Sequence, residues 1–527
     1  MTNEPNEELV RVDPDQKGRN TLRYWRRYES GKDICVWFLP DIMDRPHVFL
    51  LIGDCLRAAS ATSGTMPFTS EFADIRFSRC YSPGTWTLPS HASIYTQQPV
   101  PTHGVTRRGD RLDEEQATLP RNASAAGYRT GMFSEKAMFG RATGFHSGIE
   151  FADDSIHGKP FPSAFSAEQY VDELTVANAA TALRETVVRP PRTRNLLKLA
   201  YRAYKHLRPE APTSHPHHGG RVLSHLSSFV GRNRNRPLFC VVNLLDTHNP
   251  HRATPEVVRD ETGCSVSSEE AEAMETIGNT EYLLRGEADL PDSVREVFGS
   301  WEEFYDLQER IYTAQVRYLD HLLAEWARHL GSTLDDALII VTGDHGQLFG
   351  EEGMVGHHTS LHPHGVHVPL FVKLPSSWPI EASTIDRPVS LTGLARGVSA
   401  VFESEVSTGA EFTRAVVDAE EGVVVAVDGP TWDVARLREE YDPDRVDELA
   451  VRKVGAIDGD RMVVHECPWG DDDVVRAEYE LVDGGRRRLS RGPAPTAEFA
   501  YRDWLLGGTD DGVSARTSSR LKDLGYI

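Results

Sequence analysis

The chain has 527 residues, with 57 basic against 79 acidic side chains, a formal net charge of −22, and only nine lysines among the basic residues. So acidic and lysine-poor a chain argues against general nucleic-acid binding and suits a protein kept soluble at high salt. No apolar run approaches the ~20 residues of a membrane span, and Met1–Glu8 is acidic and polar rather than a secretory leader, which predicts a cytoplasmic protein.

The length predicts one large α/β domain with an appendage, or two to three domains. Residues 1–45 read as a polar arm whose only apolar patch is Ile34 to Leu39. His47 to Gly53 is a continuous apolar run ending at Asp54, the pattern of a buried parallel strand whose carboxyl end carries a functional side chain. A second strand, Ile75 to Cys80, leads through a polar loop into Thr85–Ser93. Pro89 suits a first helical turn, and Thr87 then lies just before a helix N-terminus, where free amides favour an anion. Taken alone, this stretch reads either as a nucleophile on an anion-binding helix or as an ordinary capped helix.

A helix over Leu119 to Ala126 and a strand over Tyr128 to Phe133 follow, and residues 151 to about 235 look like an insertion. Leu238 to Leu245 is another buried strand, ending at Asp246-Thr247-His248. Trp301 to Leu330 has helical periodicity, with Ile311, Ala314, Tyr318, Leu322 and Trp326 on one face. Ala337 to Gly343 repeats the buried-strand pattern and ends at Asp344-His345, and Val368 to Lys373 is a fourth such strand. Beyond about 380, short strands separated by Gly-Asp turns predict a small C-terminal subdomain, residues 381–527, attached to a main domain over 46–380. The fold class is therefore α/β: a three-layer sandwich with a mostly parallel central sheet and a small α+β subdomain. Six scattered cysteines without a C-x-x-C pair indicate neither a zinc ribbon nor a disulfide framework.

A parallel sheet gathers its carboxyl strand ends at one edge, so Asp54, Asp246/His248 and Asp344/His345 converge there. Clustered carboxylates repel one another unless a cation neutralises them. Oxygen ligands with one imidazole suit Mn²⁺, Mg²⁺ or Ca²⁺ better than a structural zinc. In the histidine-rich loop from Gly356 to His367, His357 is the residue expected to reach the site; His358, His362 and His364 are more readily read as structural or solvent-facing.

The order Asp54-x-Leu56-Arg57, Thr87-x-Pro89-Ser90-His91, Asp246-Thr247-His248-x-Pro250, Tyr312 to Asp320, Thr342-Gly343-Asp344-His345-Gly346, Gly350-Glu351-Glu352-Gly353 and His367-Val368-Pro369-Leu370 resembles the sulfatase family of the alkaline phosphatase superfamily. Leu521 to Tyr526 looks like that family's chain ending. The resemblance implies hydrolysis (or transfer) of a sulfate or phosphate ester by in-line attack at a divalent metal site. Its ligands would be Asp54, Asp344, His345 and Thr87, the last also the nucleophile; one Ca²⁺ or Mn²⁺ is expected, with a second ion at Asp246, His248 and His357 as the alternative. His248 and His357 would bind an ester oxygen or protonate the leaving group. His91, at the family's arginine position, and Lys136 would bind the anionic substrate. Sulfatases of this family make a formylglycine from Cys or Ser at the nucleophile position. Threonine is no substrate for that modification, and relatives with a threonine there act on phosphate esters. Cys55 stands where many members have a second metal-binding Asp.

Two other readings stand beside this one: a sulfatase working through an unmodified hydroxyl or Ser90, and a non-catalytic member that binds an anionic ligand or partner. Separately, residues 189–208 carry seven basic and no acidic side chains interleaved with apolar ones. Such a segment offers contact with an anionic membrane or polyanionic substrate; a lid helix balanced by the acidic body accounts for it equally well.

Overall fold

The computed structural model describes residues 45–153, 219–251 and 292–506 with short gaps, a few residues between 259 and 270, and the backbone of three short strands before residue 45. Those three strands, Leu9–Arg11, Leu22–Arg27 and Asp33–Phe38, pair antiparallel in a sheet of their own.

The central sheet is built from β1 (His47–Gly53), β2 (Ile75–Tyr81), β3 (Arg129–Ser134), β4 (Phe151–Asp153), β5 (Leu238–Leu244), β6 (Ala337–Gly343), β7 (His367–Lys373), β8 (Ser383–Ile385) and β9 (Val389–Ser390). Its order is β8-β2-β7-β6-β1-β5-β3-β4, with β9 also on β2. Every pairing is parallel except those of β7, which runs against both β2 and β6. The central strands are mostly apolar and buried because both faces are covered. On β1, Val48, Leu50 and Ile52 face one core, and Phe49 and Leu51 the other.

The first core is closed by α2 (Thr87–Thr96), α3 (Leu119–Ala125), α6 (Leu391–Phe402) and α7 (Gly409–Val417). The second is closed by α4 (Gly219–Arg232) and α5 (Trp301–Leu330), with α1 (Pro67–Phe72) at its margin. Helix α5 opens on a capping residue: Ser300 Oγ accepts the amide of Glu303 at 3.2 Å. Its predicted face is buried at Ile311, Ala314, Leu322 and Trp326 and half-buried at Tyr318.

A second, five-stranded antiparallel sheet runs in sequence order: β10 (Val423–Asp428), β11 (Val451–Asp458), β12 (Arg461–Pro468), β13 (Val475–Val482) and β14 (Gly485–Pro493). It buttresses the site from outside. The amide of Ala426 on β10 donates to Pro83 O at 2.8 Å, and Val423, Val425 and Met462 pack with Tyr81, Leu361 and Val366. The loop that leads into Thr87 is thus held by the C-terminal sheet.

The mostly parallel sheet and the C-terminal subdomain agree with the sequence reading; two boundaries move. β8, β9, α6 and α7 belong to the main sheet and its core, so the C-terminal sheet begins at Val423 rather than near 381. The expected insertion is trimmed at both ends, because β4 pairs with β3 and α4 packs on the second core. Residues 154–218, including the basic segment 189–208, and the chain ending from Leu521 to Tyr526 lie outside the described residues. Among the described residues no helix is long and apolar enough to cross a membrane.

Candidate active site

Register explains the convergence. Gly53 pairs with both Leu244 and Gly343, and Ser134 with Asn243, so β1, β3, β5 and β6 end nearly level. The next residues along each strand are Asp54, Asp344, Leu245 to His248, and Glu135-Lys136. Strand β2 ends at the same edge and feeds the loop to Thr87, while antiparallel β7 begins there, which delivers the histidine loop. Two motif glycines permit the crowding: a Cβ on Gly343 would lie 2.2 Å from Leu56 O, and one on Gly346 1.8 Å from His364 O.

Thr87 is the first residue of α2, a helix buried along its whole length. Its N-cap, Trp86, is extended and makes no side-chain capping bond. Thr87 Oγ accepts from Lys136 Nζ at 2.6 Å and stands 3.4 Å from both oxygens of Asp54 and 3.3 Å from His345 Nε2. Asp54 Oδ2 is paired with Lys136 Nζ at 2.7 Å and accepts from Asn243 Nδ2 at 3.2 Å. Asp344 Oδ1 accepts the amides of Cys55, at 3.1 Å, and His345, at 2.9 Å.

Burial dominates the electrostatics here and moves the acids and the imidazoles in opposite directions. Burial pushes the Asp54 carboxyl up, but Lys136, His248 and His345 outweigh it and hold the group below its ordinary value. Asp344 is raised well above its own, by burial first and then by Asp54. Burial lowers His345 to about 4, and His248 and His91 to about 3. Burial and the neighbouring His358 and His345 also lower His357. A cation bound there would offset the burial and the Asp54 charge that raise Asp344, and neutral imidazoles are the form that ligates one.

The donor set fits a divalent ion on two counts. Asp344 Oδ2 is fully buried and has no hydrogen-bond partner among the described residues. Asp54 Oδ1 has Thr87 Oγ at 3.4 Å, Cys55 Sγ at 3.6 Å, and His345 Nε2 and His248 Nε2 each at 3.7 Å. Donors about 2.0–2.3 Å from a tetrahedral ion stand about 3.3–3.8 Å apart. The histidines present the correct nitrogen: Nδ1 of His345 meets Gly346 O at 2.9 Å and Nδ1 of His248 meets Asn249 O, leaving Nε2 on the site side in both.

Of the residues expected at the site, Asp54, Thr87, Lys136, His248, Asp344, His345 and His357 come together; the rings of His357 and His345 lie 4.6 Å apart. His91 contacts the scaffold of the site. It is fully buried, its Nδ1 meets Thr87 O at 3.0 Å and stands 3.5 Å from Asp344 Oδ2, and its ring packs on Phe139.

Asp246 lies apart from the residues expected to share a second ion with it. Its carboxylate faces the start of α4, where a Cβ on Gly219 would sit 2.0 Å from Oδ2, and among the described residues it joins no cluster with His248 and His357. A helix N-terminus offers a buried carboxylate a partial positive charge. Burial nevertheless raises Asp246 to about 7, against the opposing pull of its own and the Gly219 amides. His362 accepts the amide of His364, and His364 pairs with Glu351 at 2.6 Å, so both serve the loop. His358 is buried, with its ring 4.2 Å from that of His357.

Three neighbours escaped the sequence reading as site members: Asn243, Gln347, whose Oε1 lies 2.9 Å from His357 Nδ1, and Cys55. Asn243 and Cys55 could have been found, since each sits at or beside a strand end already singled out.

This edge carries two aspartates, histidines and a hydroxyl at a helix start on a mostly parallel sheet, the arrangement expected from the resemblance to the alkaline phosphatase superfamily. Residues 46–403 match the family model described as Sulfatase, and the chain belongs to the sulfatase family of ester hydrolases. Similar solved structures include the phosphonate monoester hydrolase of Agrobacterium radiobacter, at 17% identity and a TM-score of 0.54 over 91% of this chain and 95% of that one. The phosphonate monoester hydrolase from Silicibacter pomeroyi follows at 15% and 0.51 over 91% and 95%, and a 2-O GAG sulfatase at 12% and 0.52 over 92% and 94%. No curated protein matches the chain.

Proposed function

We propose that the protein is a metal-dependent hydrolase or transferase of phosphate-type esters, with Thr87 as the nucleophile. The observation that carries this reading is Thr87 Oγ at the start of α2, 2.6 Å from Lys136 Nζ and within 3.4 Å of Asp54 and His345. Asp54, Asp344, His345 and Thr87 are the residues that would hold one divalent ion. When bound, that ion lowers the hydroxyl pKa and neutralises charge developing on the ester oxygens. Thr87 loses its proton to solvent, and the Lys136 ammonium holds the resulting alkoxide. A new Oγ–phosphorus bond forms as the bond to the leaving oxygen breaks in line. The proton that the leaving oxygen needs comes from solvent, with His248 or His357, neutral at rest, placed to relay it. Water, or an acceptor alcohol, then cleaves the Oγ–phosphorus bond and frees Thr87. The uncapped amides at the start of α2 add donors for the anion. His91 positions Thr87 through its carbonyl rather than binding substrate.

Phosphorus is favoured over sulfur as the ester's central atom because Thr87 is the matched nucleophile and threonine cannot become formylglycine. The test is a parallel assay of phosphate monoester, phosphodiester, phosphonate monoester and aryl sulfate with added Mn²⁺, Ca²⁺ or Zn²⁺. Turnover of a phosphorus ester that disappears in Thr87→Ala is expected. Turnover of the aryl sulfate alone, surviving Thr87→Ala, refutes the assignment, and no turnover of any ester with any ion leaves the binding-protein reading in its place.

A further inference from the structure

We infer that Cys55 is a ligand of the divalent ion, and that the site thereby selects a thiophilic ion of the Zn²⁺ class over Ca²⁺ and Mg²⁺. The inference rests on the metal-dependent reading above and sharpens it.

Cys55 follows Asp54 at the end of β1 and is fully buried. Its backbone is in the left-handed region, φ 66°, and its amide is spent on Asp344 Oδ1. That conformation leaves the thiol inside the cluster, with Sγ 3.6 Å from Asp54 Oδ1 and 3.6 Å from His357 Nδ1. Without a metal the thiol donates a weak hydrogen bond to Asp54 Oδ1. The same 3.6 Å matches the edge of a tetrahedral sphere with one sulfur donor at about 2.3 Å and one oxygen donor at about 2.0–2.2 Å. Cys55 belongs to two of the three donor clusters, with His345 and His357 and with Asp54 and His248. The third, Asp54, Asp344 and His345, shares residues with both. An independent observation is Asp344 Oδ2, buried in the same site with no hydrogen-bond partner among the described residues; the nearest imidazole nitrogens, of His91 and His345, stand 3.5 Å away.

The chemistry separates the ions. Ca²⁺ and Mg²⁺ take oxygen ligands almost without exception, in spheres of six or more. A set of one carboxylate pair, imidazoles and a thiolate suits Zn²⁺ or Co²⁺. Binding requires the thiol to lose its proton to solvent as the sulfur–metal bond forms, so uptake releases protons. His357 Nδ1 donates its hydrogen to Gln347 Oε1 at 2.9 Å, which fixes the ring beside Cys55 Sγ at 3.6 Å.

The test uses the full chain, stripped with a chelator and titrated with Co²⁺. An intense near-ultraviolet sulfur-to-cobalt charge-transfer band is expected, saturating at one equivalent and displaced by Zn²⁺ but not by Ca²⁺. Cys55→Ser should abolish the band and weaken Zn²⁺ binding at least about 10-fold, measured by competition with a chromophoric chelator. Cys55→Asp should shift the preference from Zn²⁺ towards Mn²⁺. The wild-type spectrum needs no variant, so a folding defect in either substitution does not rescue the inference. Co²⁺ bound without the band, or a band unchanged in Cys55→Ser, overturns the role of Cys55 and leaves the Thr87 reading standing. No binding of Co²⁺, Zn²⁺, Mn²⁺ or Ca²⁺ overturns both.

Discussion

Replacing Lys136 by Met keeps the length of the side chain and removes one charge from beside Thr87, the proposed nucleophile. The ammonium stands 2.6 Å from Thr87 Oγ and 2.7 Å from Asp54 Oδ2, with the lysine side chain 15% exposed. In the resting enzyme Thr87 carries no charge, so its bond to Lys136 is a modest one. As Oγ becomes an alkoxide, the pair becomes ion to ion. At an effective dielectric of about 20, unit charges 2.6 Å apart attract by about 6 kcal/mol, an upper limit before desolvation. Removing a single preorganised donor from a developing oxyanion typically costs about 3–4 kcal/mol. Lys136→Met should therefore lower kcat by about 100- to 1,000-fold, and Lys136→Arg should recover part of the loss. Steady-state kinetics at saturating metal, with bound metal measured on the same samples, separates loss of transition-state stabilisation from loss of the ion. A kcat within about threefold of wild type at equal metal occupancy refutes the placement of Lys136 on the nucleophile.

Asp246→Asn should stabilise the protein at pH 8. The folded carboxyl is raised to about 7 from an unfolded value of 3.8, so the native state binds its proton more tightly than the unfolded chain. Its contribution is favourable below about pH 4, is lost as pH rises from about 4 to about 7, and is constant above. The full shift corresponds to up to about 4 kcal/mol, to be read from denaturant unfolding across pH; equal stability at pH 8, or a gain that grows towards pH 4, would contradict it. Arg57→Met should cost about 3 kcal/mol in the same assay, because the buried guanidinium is paired with Glu351 at 2.9 Å and with Glu309, and donates to Ser60 Oγ at 2.8 Å. A loss below 0.5 kcal/mol would show that solvent replaces those bonds.

The strands and the charged residues at their ends were legible because buried parallel strands leave one plain signature, an unbroken apolar run that stops at a polar side chain. β1, β5 and β6 all carry it, and their register did the rest. The late boundary near 380 came from the opposite case. β8 and β9 are edge strands of three and two residues, too short for a pattern, and α6 looks like any amphipathic helix until its face is seen in the first core. Asp246 and His248 sit two residues apart past a strand end, where the chain turns and no periodicity says which side chain faces the site. The structure gives His248 to the cluster and Asp246 to the helix start.

Position 55 shows what sequence reading loses when a motif is matched by its family's residue types. Measured against an expected aspartate, Cys55 is a missing ligand and a reason to doubt activity. Measured against its surroundings it is a donor atom of the right size, 3.6 Å from Asp54 Oδ1, in a buried cluster whose Asp344 Oδ2 lacks a hydrogen-bond partner among the described residues. The substitution changes the softness of the donor set while keeping its count. Together with Thr87, which needs no maturation to a formylglycine, it marks a site whose residue types differ from the family's at both the nucleophile position and a metal-ligand position. The two departures bear on one atom: a hydroxyl is a weaker nucleophile than a hydrated aldehyde, and a zinc-class ion acidifies it more strongly than calcium does. Cys55 and Thr87 should therefore be tested together. If Thr87 is the nucleophile and Cys55 a ligand, Cys55→Asp loaded with Ca²⁺ should bind ester yet turn it over more slowly than the wild type loaded with Zn²⁺. Equal turnover would uncouple the two substitutions.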